Sequence, residues 1–355
     1  MCIRDRFLIF SACDSSDSVY GDGDSFADID DQNRVNDRDP QERPDDYSGP
    51  GGGGITYDDN YEQNDTAKPD EEEVDEVEND DDFTELYNVE PDVAKCFPGE
   101  VSGFEKNKVL TRVNYLRGLH NLPPVSYSFD DDVYTQECSL MIAANKKLDH
   151  FPDETWKCYS NEGEDGCGKS NIYIRFGMIS DLENKSIVDA FMTDEGVPDL
   201  GHRRWLIDPW LAHISFGRVD DYSQQVVGSA IKVNNEEQQN ITNKDIVFVA
   251  YPFEIYPEEL YNDEVMMSFT LIVDKVDKWK NSNVKFSGTA VAVKNPSNKI
   301  MKIKNLAYDN QGFGVPNNLR WYVEGIEKDV RYDVVVTNVL VNDVSRDYAY
   351  WFELK

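Results

Sequence analysis

From about residue 105 the apolar positions recur at three- and four-residue steps. Val109, Leu110, Val113, Leu116 and His120 fall on one side of a helix that Pro123-Pro124 ends. A second helix is predicted over 131–148, with Val133, Leu140, Met141, Ala144 and Leu148 on one face. A third starts near Ser186, where Asp189 three residues on completes a capping-box pattern, and it buries Ile187, Val188 and Phe191. Residues 226–233 and 246–250 read as strands, and helices flanking a small sheet make an α/β sandwich. After Pro257 the period changes to two, over 267–273, 284–293, 332–336 and at Tyr348, Tyr350, Phe352 and Leu354. Short alternating strands between Asn, Gly and Pro clusters predict a separate all-β, Ig-like sandwich.

The stretch before these elements has no such pattern. Residues 14–95 hold 29 Asp and Glu against 5 Lys and Arg, a net −24 of the chain's −34. Such a segment cannot bury enough apolar surface to offset the entropy of ordering, so 14–94 reads as a disordered acidic spacer. Asp22, Asp24, Asp28, Asp30 and Asp31 have spacing like that of calcium loops, but the glycine and closing Glu of a full EF-hand pattern are missing. The predicted division is a leader remnant over 1–13, the spacer over 14–94, the α/β domain over 95–257 and the sandwich over 258–355. A chain this acidic, with no basic stripe, is not expected to bind nucleic acid.

The opening MCIRDR is set aside from fold reasoning. Phe7 to Ala12 followed by Cys13 reads as the end of a bacterial lipoprotein signal, which would place a lipid on Cys13. No other stretch approaches the roughly 20 apolar residues needed to span a bilayer, so membrane attachment is expected only through that lipid. Cys96, Cys138, Cys158 and Cys167 make an even set, as in exported proteins with two disulfides. Of the three connectivities, Cys158 with Cys167 and Cys96 with Cys138 is favoured, the former spacing suiting a short loop staple. The absence of any CxxC argues against a zinc knot.

Several segments, in order, resemble the CAP superfamily of cysteine-rich secretory, antigen 5 and pathogenesis-related proteins, also called SCP-like. They are Val113-Asn114-Tyr115-Leu116-Arg117 with Leu122-Pro123-Pro124-Val125, then Leu148-Asp149-His150, Ser170-Asn171-Ile172, Phe191-Met192-Thr193-Asp194 and Gly201-His202-Arg203-Arg204. The resemblance covers about 105–255, and the last segment, within Gly201 to Pro209 (GHRRWLIDP), is similar to bacterial members in particular. It implies an α-β-α sandwich with a cleft formed by two histidines and two acids, which would fall at His150, Ser170, Asp194 and His202. Ser170 stands where the family has an acid.

Two imidazoles and one carboxylate, His150, His202 and Asp194, suit zinc or another divalent cation, with Glu162 or Glu164 as a further candidate ligand. The alternative is that these groups hydrogen-bond one another and hold the helices together. Ser170, His150 and Asp194 also suggest a serine hydrolase, against which no GxSxG elbow is present. Arg203 and Arg204 could clamp an anion, or one of them could pair with Asp194, Glu195 or Asp208. Trp205, Leu206 and Trp210 are assigned to core packing; His120 and His213 are given no role. The leading expectation is an exported cell-surface module that binds a small apolar ligand or a protein partner. Its rivals are a metal-dependent hydrolase of peptide or envelope substrates working through the His/His/Asp cleft, and a purely structural scaffold.

Overall fold

The computed structural model describes residues 86–355. Cys13, the leader remnant, the aspartate loops and residues 14–85 of the predicted spacer lie outside them. Residues 86–94 of the predicted spacer are folded. Strand β1 (Tyr87–Val89) pairs with β2 (Glu100–Val101), and Tyr87 and Val93 are buried. These two side chains, Leu86 against the core and the disulfide at Cys96 dock this stretch, although its acidity masks the pattern.

Helix α1 (Gly103–Gly118) begins at Ser102, whose hydroxyl accepts from the Glu105 backbone N–H at 3.3 Å. It buries Val109, Val113 and Leu116, the face read from the sequence. After β3 (Ser126–Tyr127) comes α2 (Asp132–Asn145), which turns Thr135, Ser139 and Ala143 toward the sheet. Helix α3 (Asn161–Gly168) packs on α2 through Gly166, where a Cβ would lie 2.0 Å from the Tyr134 carbonyl oxygen. Strand β4 (Ser170–Phe176) then precedes α4 (Asn184–Thr193) and the short α5 (Gly201–Leu206). Helix α4 starts two residues before the expected Ser186, because Asn184 is buried and donates to Glu105 at 2.8 Å.

Strands β5 (His213–Asp221) and β6 (Val226–Lys232) complete a four-stranded sheet of order β3-β5-β6-β4. Ile172, Ile174 and Ala230 meet Cys138 and Ile142 of α2 on one face, while Tyr173, Phe216 and Ile231 join the helices α1 and α4 on the other. This is the expected α-β-α sandwich.

The remaining strands form two four-stranded sheets. Strands β7 (Phe248–Tyr251), β8 (Glu254–Tyr256), β9 (Met267–Leu271), β10 (Ala290–Lys294), β11 (Ile303–Asp309), β12 (Asn318–Val323), β13 (Arg331–Val341) and β14 (Val344–Leu354) are arranged as β10-β13-β14-β8 and β11-β12-β9-β7. Strand β7 was expected in the first domain, but it pairs with β9. The long strand expected over 284–293 is shorter: Val284 and Phe286 are buried either side of a single bridge from Lys285 to Leu340, and the continuous ladder with β13 covers 290–294. The β13–β14 hairpin closes on Asn342-Asp343, both at positive φ (52° and 62°), a two-residue turn whose twist matches that of the strands. One hydrophobic cluster runs from Leu206 and Trp210 through Ile246 to Trp321 and Phe352, so the α/β part and the sandwich share a core.

The disulfides are Cys96–Cys158 and Cys138–Cys167, with Cα separations of 5.1 and 5.2 Å. Two bridges form, as expected, but the partners are exchanged. Cys158 precedes α3 and Cys167 sits in its last turn, so about seven residues of helical rise, roughly 10 Å, keep them beyond bridging distance. Cys167 instead faces Cys138 across the α2–α3 contact, and both are fully buried. A Cys138→Ala, Cys167→Ala double variant is expected to lose about 3 kcal/mol of stability, measured by urea denaturation; a change below about 0.5 kcal/mol would contradict this packing.

Candidate functional site

The motif residues converge where the end of α4, the start of α5 and the α3–β4 junction meet. Asp194 caps α4 in the left-handed conformation (φ 51°). His202 is the second residue of α5, and its Nδ1 lies 2.7 Å from Asp194 Oδ1, both side chains being buried. The other carboxylate oxygen accepts from the backbone N–H of Arg203 at 3.1 Å. Asp194 is thereby fully engaged in holding α5 and orienting the imidazole. Phe191 lies against the His202 ring, centroids 5.1 Å apart, and Asn171 Nδ2 donates to the His202 carbonyl at 3.0 Å.

His150 is half-buried, and its Nδ1 lies 2.9 Å from the Cys167 carbonyl oxygen. A carbonyl can only accept, so Nδ1 carries the proton, and in the neutral ring Nε2 keeps its lone pair. Burial lowers the basicity of His150; the charge of His202 acts in the same direction, against the Cys167 carbonyl. Burial also opposes protonation of His202, but Asp194, by charge and hydrogen bond, outweighs it and holds this imidazole above its ordinary range. The two histidines are thus unlike, one disposed to stay neutral and one to take a proton.

Ser170 is buried and its hydroxyl has no hydrogen-bond partner among the described residues. Successive strand residues point to opposite faces, and in β4 it is Asn171 that reaches His202. No base is therefore hydrogen-bonded to Ser170, and His150 and Asp194 have other partners, so the serine triad is not assembled. Among the described residues no three His, Cys, Asp or Glu side chains gather around a metal position. Of the expected ligand set His150, Asp194 and His202, Asp194 is turned onto His202 Nδ1 and the Arg203 N–H. Glu164 accepts from the Tyr159 hydroxyl in the exposed first turn of α3, with Glu162 exposed beside it.

Arg203 and Arg204 point away from the cleft, and neither side chain pairs with Asp194, Glu195 or Asp208 among the described residues. Both are buried and reach the sandwich, Arg203 through the Met266 carbonyl and Arg204 through Asp309. Asp208 pairs with Lys278 at 2.5 Å, and Trp210 donates to the Lys275 carbonyl at 3.2 Å. Sequence reading missed Asn171 and Phe191 as cleft residues, although both stand inside quoted motifs. His120 is buried between the Ala250 carbonyl (2.8 Å) and the Tyr256 hydroxyl (3.3 Å). A cavity of about 500 Å³ beside it is bounded by Leu122, Phe248 and Phe253, and by none of the four cleft residues.

No curated protein matches the chain. A family model does: that of the cysteine-rich secretory protein family, CAP, matches residues 110–233. That span runs from α1 to the residue after β6 and contains His150, Ser170, Asp194 and His202. Residues 110–233 of this chain are therefore a CAP domain of the cysteine-rich secretory protein family.

Proposed function

We propose that this chain is an exported, surface-displayed binding module whose CAP cleft holds a small apolar ligand and carries out no covalent chemistry on it. The observation behind this reading is how the cleft's polar groups are used. Asp194 orients His202, the Cys167 carbonyl orients His150, and the one hydroxyl in the set, Ser170, has no base beside it. A nucleophile needs such a base within hydrogen-bond reach. Two disulfides fit an oxidising compartment, and among the described residues no helix is long and apolar enough to cross a membrane. Fluorescent fatty-acid and sterol probes titrated into the full chain are expected to bind saturably, and Phe191→Ala or His202→Ala to weaken binding at least about tenfold, or 1.4 kcal/mol. Saturable binding of none of them, or binding indifferent to both substitutions, would overturn the proposal.

One observation favours a second reading, a divalent cation in the cleft. Both Nδ1 atoms are hydrogen-bonded to oxygen, the second-sphere arrangement that leaves Nε2 of each imidazole as a ligand. Two protein ligands suit an exchangeable ion better than a structural zinc, which takes four. A bound zinc would supply Lewis acidity toward water, as the hydrolase alternative requires.

A further inference from the structure

We infer that the C-terminal sandwich is a working part of the CAP cleft: Arg203 and Arg204 clamp the turn that carries Asp194 and His202 to strands β9 and β11, making them positioning residues for the cleft histidine. This inference goes beyond the ligand-binding reading and does not depend on it.

Arg203 carries the argument. Its side chain is fully buried, yet among the described residues no carboxylate pairs with it. Its guanidinium is satisfied by carbonyl oxygens from both halves of the molecule. Nε donates to Met192 O at 2.7 Å and Nη2 to Thr193 O at 2.6 Å, the last carbonyls of α4. Nη1 donates to Met266 O at 2.7 Å, just ahead of β9, and the group lies 3.7 Å from the centre of the Tyr251 ring on β7. A cation on the end carbonyls of a helix is favourable, and here it sits on the residues immediately before Asp194. Asp194 itself is a non-glycine residue at φ 51°, a conformation that persists only where surrounding contacts impose it. The backbone N–H of the same arginine completes the loop by donating to Asp194 Oδ2. One residue thus fixes the turn, binds its carboxylate and fastens both to the sandwich.

Arg204 repeats the arrangement on the preceding loop. Nη1 pairs with Asp309 of β11 at 2.9 Å, and Nη2 donates to Val315 O at 3.1 Å. Asp309 also holds Arg320 at 2.5 Å, and Arg320 Nε donates back to Pro198 O. Residues 198–204 are therefore tied to the sandwich at both ends. Guanidiniums chosen only to fill a core would be poor choices, since desolvating each charge opposes folding. Their carbonyl geometry is what apolar residues of equal volume could not reproduce.

The test reads the Nδ1–H proton of His202 in the hydrogen bond to Asp194, by NMR of the metal-free, ligand-free full chain at fixed pH, because Asp194, Asp199 and His150 all act on this ring. The resonance is assigned by its loss in His202→Gln. Arg203→Met is expected to speed its solvent exchange at least about tenfold, and Arg203→Lys to restore part of the protection. Asp309→Asn, which changes no CAP residue, is expected to speed it several-fold. Exchange unchanged in a folded Arg203→Met variant would overturn the inference. If that variant does not fold, unchanged exchange in Asp309→Asn overturns it. A variant with lower thermal stability but an unaltered His202 resonance would show the arginines to be structural only, which also overturns it.

Discussion

Gly228→Val should destabilise the protein by about 4 kcal/mol, more than ordinary core overpacking. A Cβ at Gly228 would lie 2.3 Å from the Ser139 carbonyl oxygen and 2.8 Å from the Ala143 nitrogen, both backbone atoms of α2. Gly217 on the neighbouring strand stands in the same relation to Thr135, its Cβ position 2.3 Å from that residue's carbonyl. The two glycines form a shallow seat for α2, and Thr135, Ser139 and Ala143 are small enough to rest in it. A flexible side chain could move aside; a helix backbone cannot, least of all one joined to α3 by Cys138–Cys167. Urea denaturation followed by circular dichroism would measure the loss, with Gly228→Ala expected to fall between wild type and valine. A valine variant within about 1 kcal/mol of wild type would mean that α2 does not approach the sheet this closely.

His120 should make the fold acid-sensitive. Burial, acting against the hydrogen bond to the Ala250 carbonyl and joined by the charges of Arg203 and Arg117, pushes its imidazole down to about 3. In the unfolded chain it returns to about 6.5. Between those values the unfolded state binds more protons than the folded state, so stability rises with pH there and falls as the solution is acidified. The His120 contribution is complete above about pH 6.5, and about 3 kcal/mol of it is gone by about pH 4. His120→Gln should be less stable than wild type at neutral pH, by about 1–2 kcal/mol for the altered hydrogen bonds. Near pH 4 the order should reverse. Unfolding free energies of the two proteins at both pH values decide the matter, because carboxylates common to both cancel in the difference. Parallel pH profiles would mean that His120 is not buried neutral.

The features legible in the sequence were those written in side-chain periodicity. The Val109, Val113, Leu116 face of α1 and the alternation of Tyr348, Tyr350, Phe352 and Leu354 in β14 announce their elements, because one face of each meets a core and the other meets water. Strand β4 was missed for the opposite reason. Ser170 to Ile174 are buried on both faces, and nothing alternates. Helices α3 and α5 are too short to show a period, at 8 and 6 residues. In the cleft, the motifs located Asp194 and His202, but their spacing could not show that Asp194 spends both oxygens on its own chain. Arg203 and Arg204 read in sequence as an anion clamp, or one of them as a partner of Asp194, Glu195 or Asp208; only the fold shows strands from more than 60 residues away closing over them. The disulfide partners were misassigned because sequence distance stood in for spatial distance, and α3 separates the two.

The order of those bridges bears on the loop that carries His150. Cys96 pairs with Cys158 and Cys138 with Cys167, so the two covalent rings overlap over 138–158. A single peptide-bond cut anywhere in that shared stretch leaves both bridges spanning the break, with each side retaining one cysteine of each pair. His150 lies inside it, flanked by the exposed Lys147 and Lys157, which are natural targets for proteases that cut after lysine. A nicked molecule would keep its cleft assembled and its two pieces joined. The interlocked cysteines thus guard the most exposed part of the site against loss by cleavage as well as against unfolding.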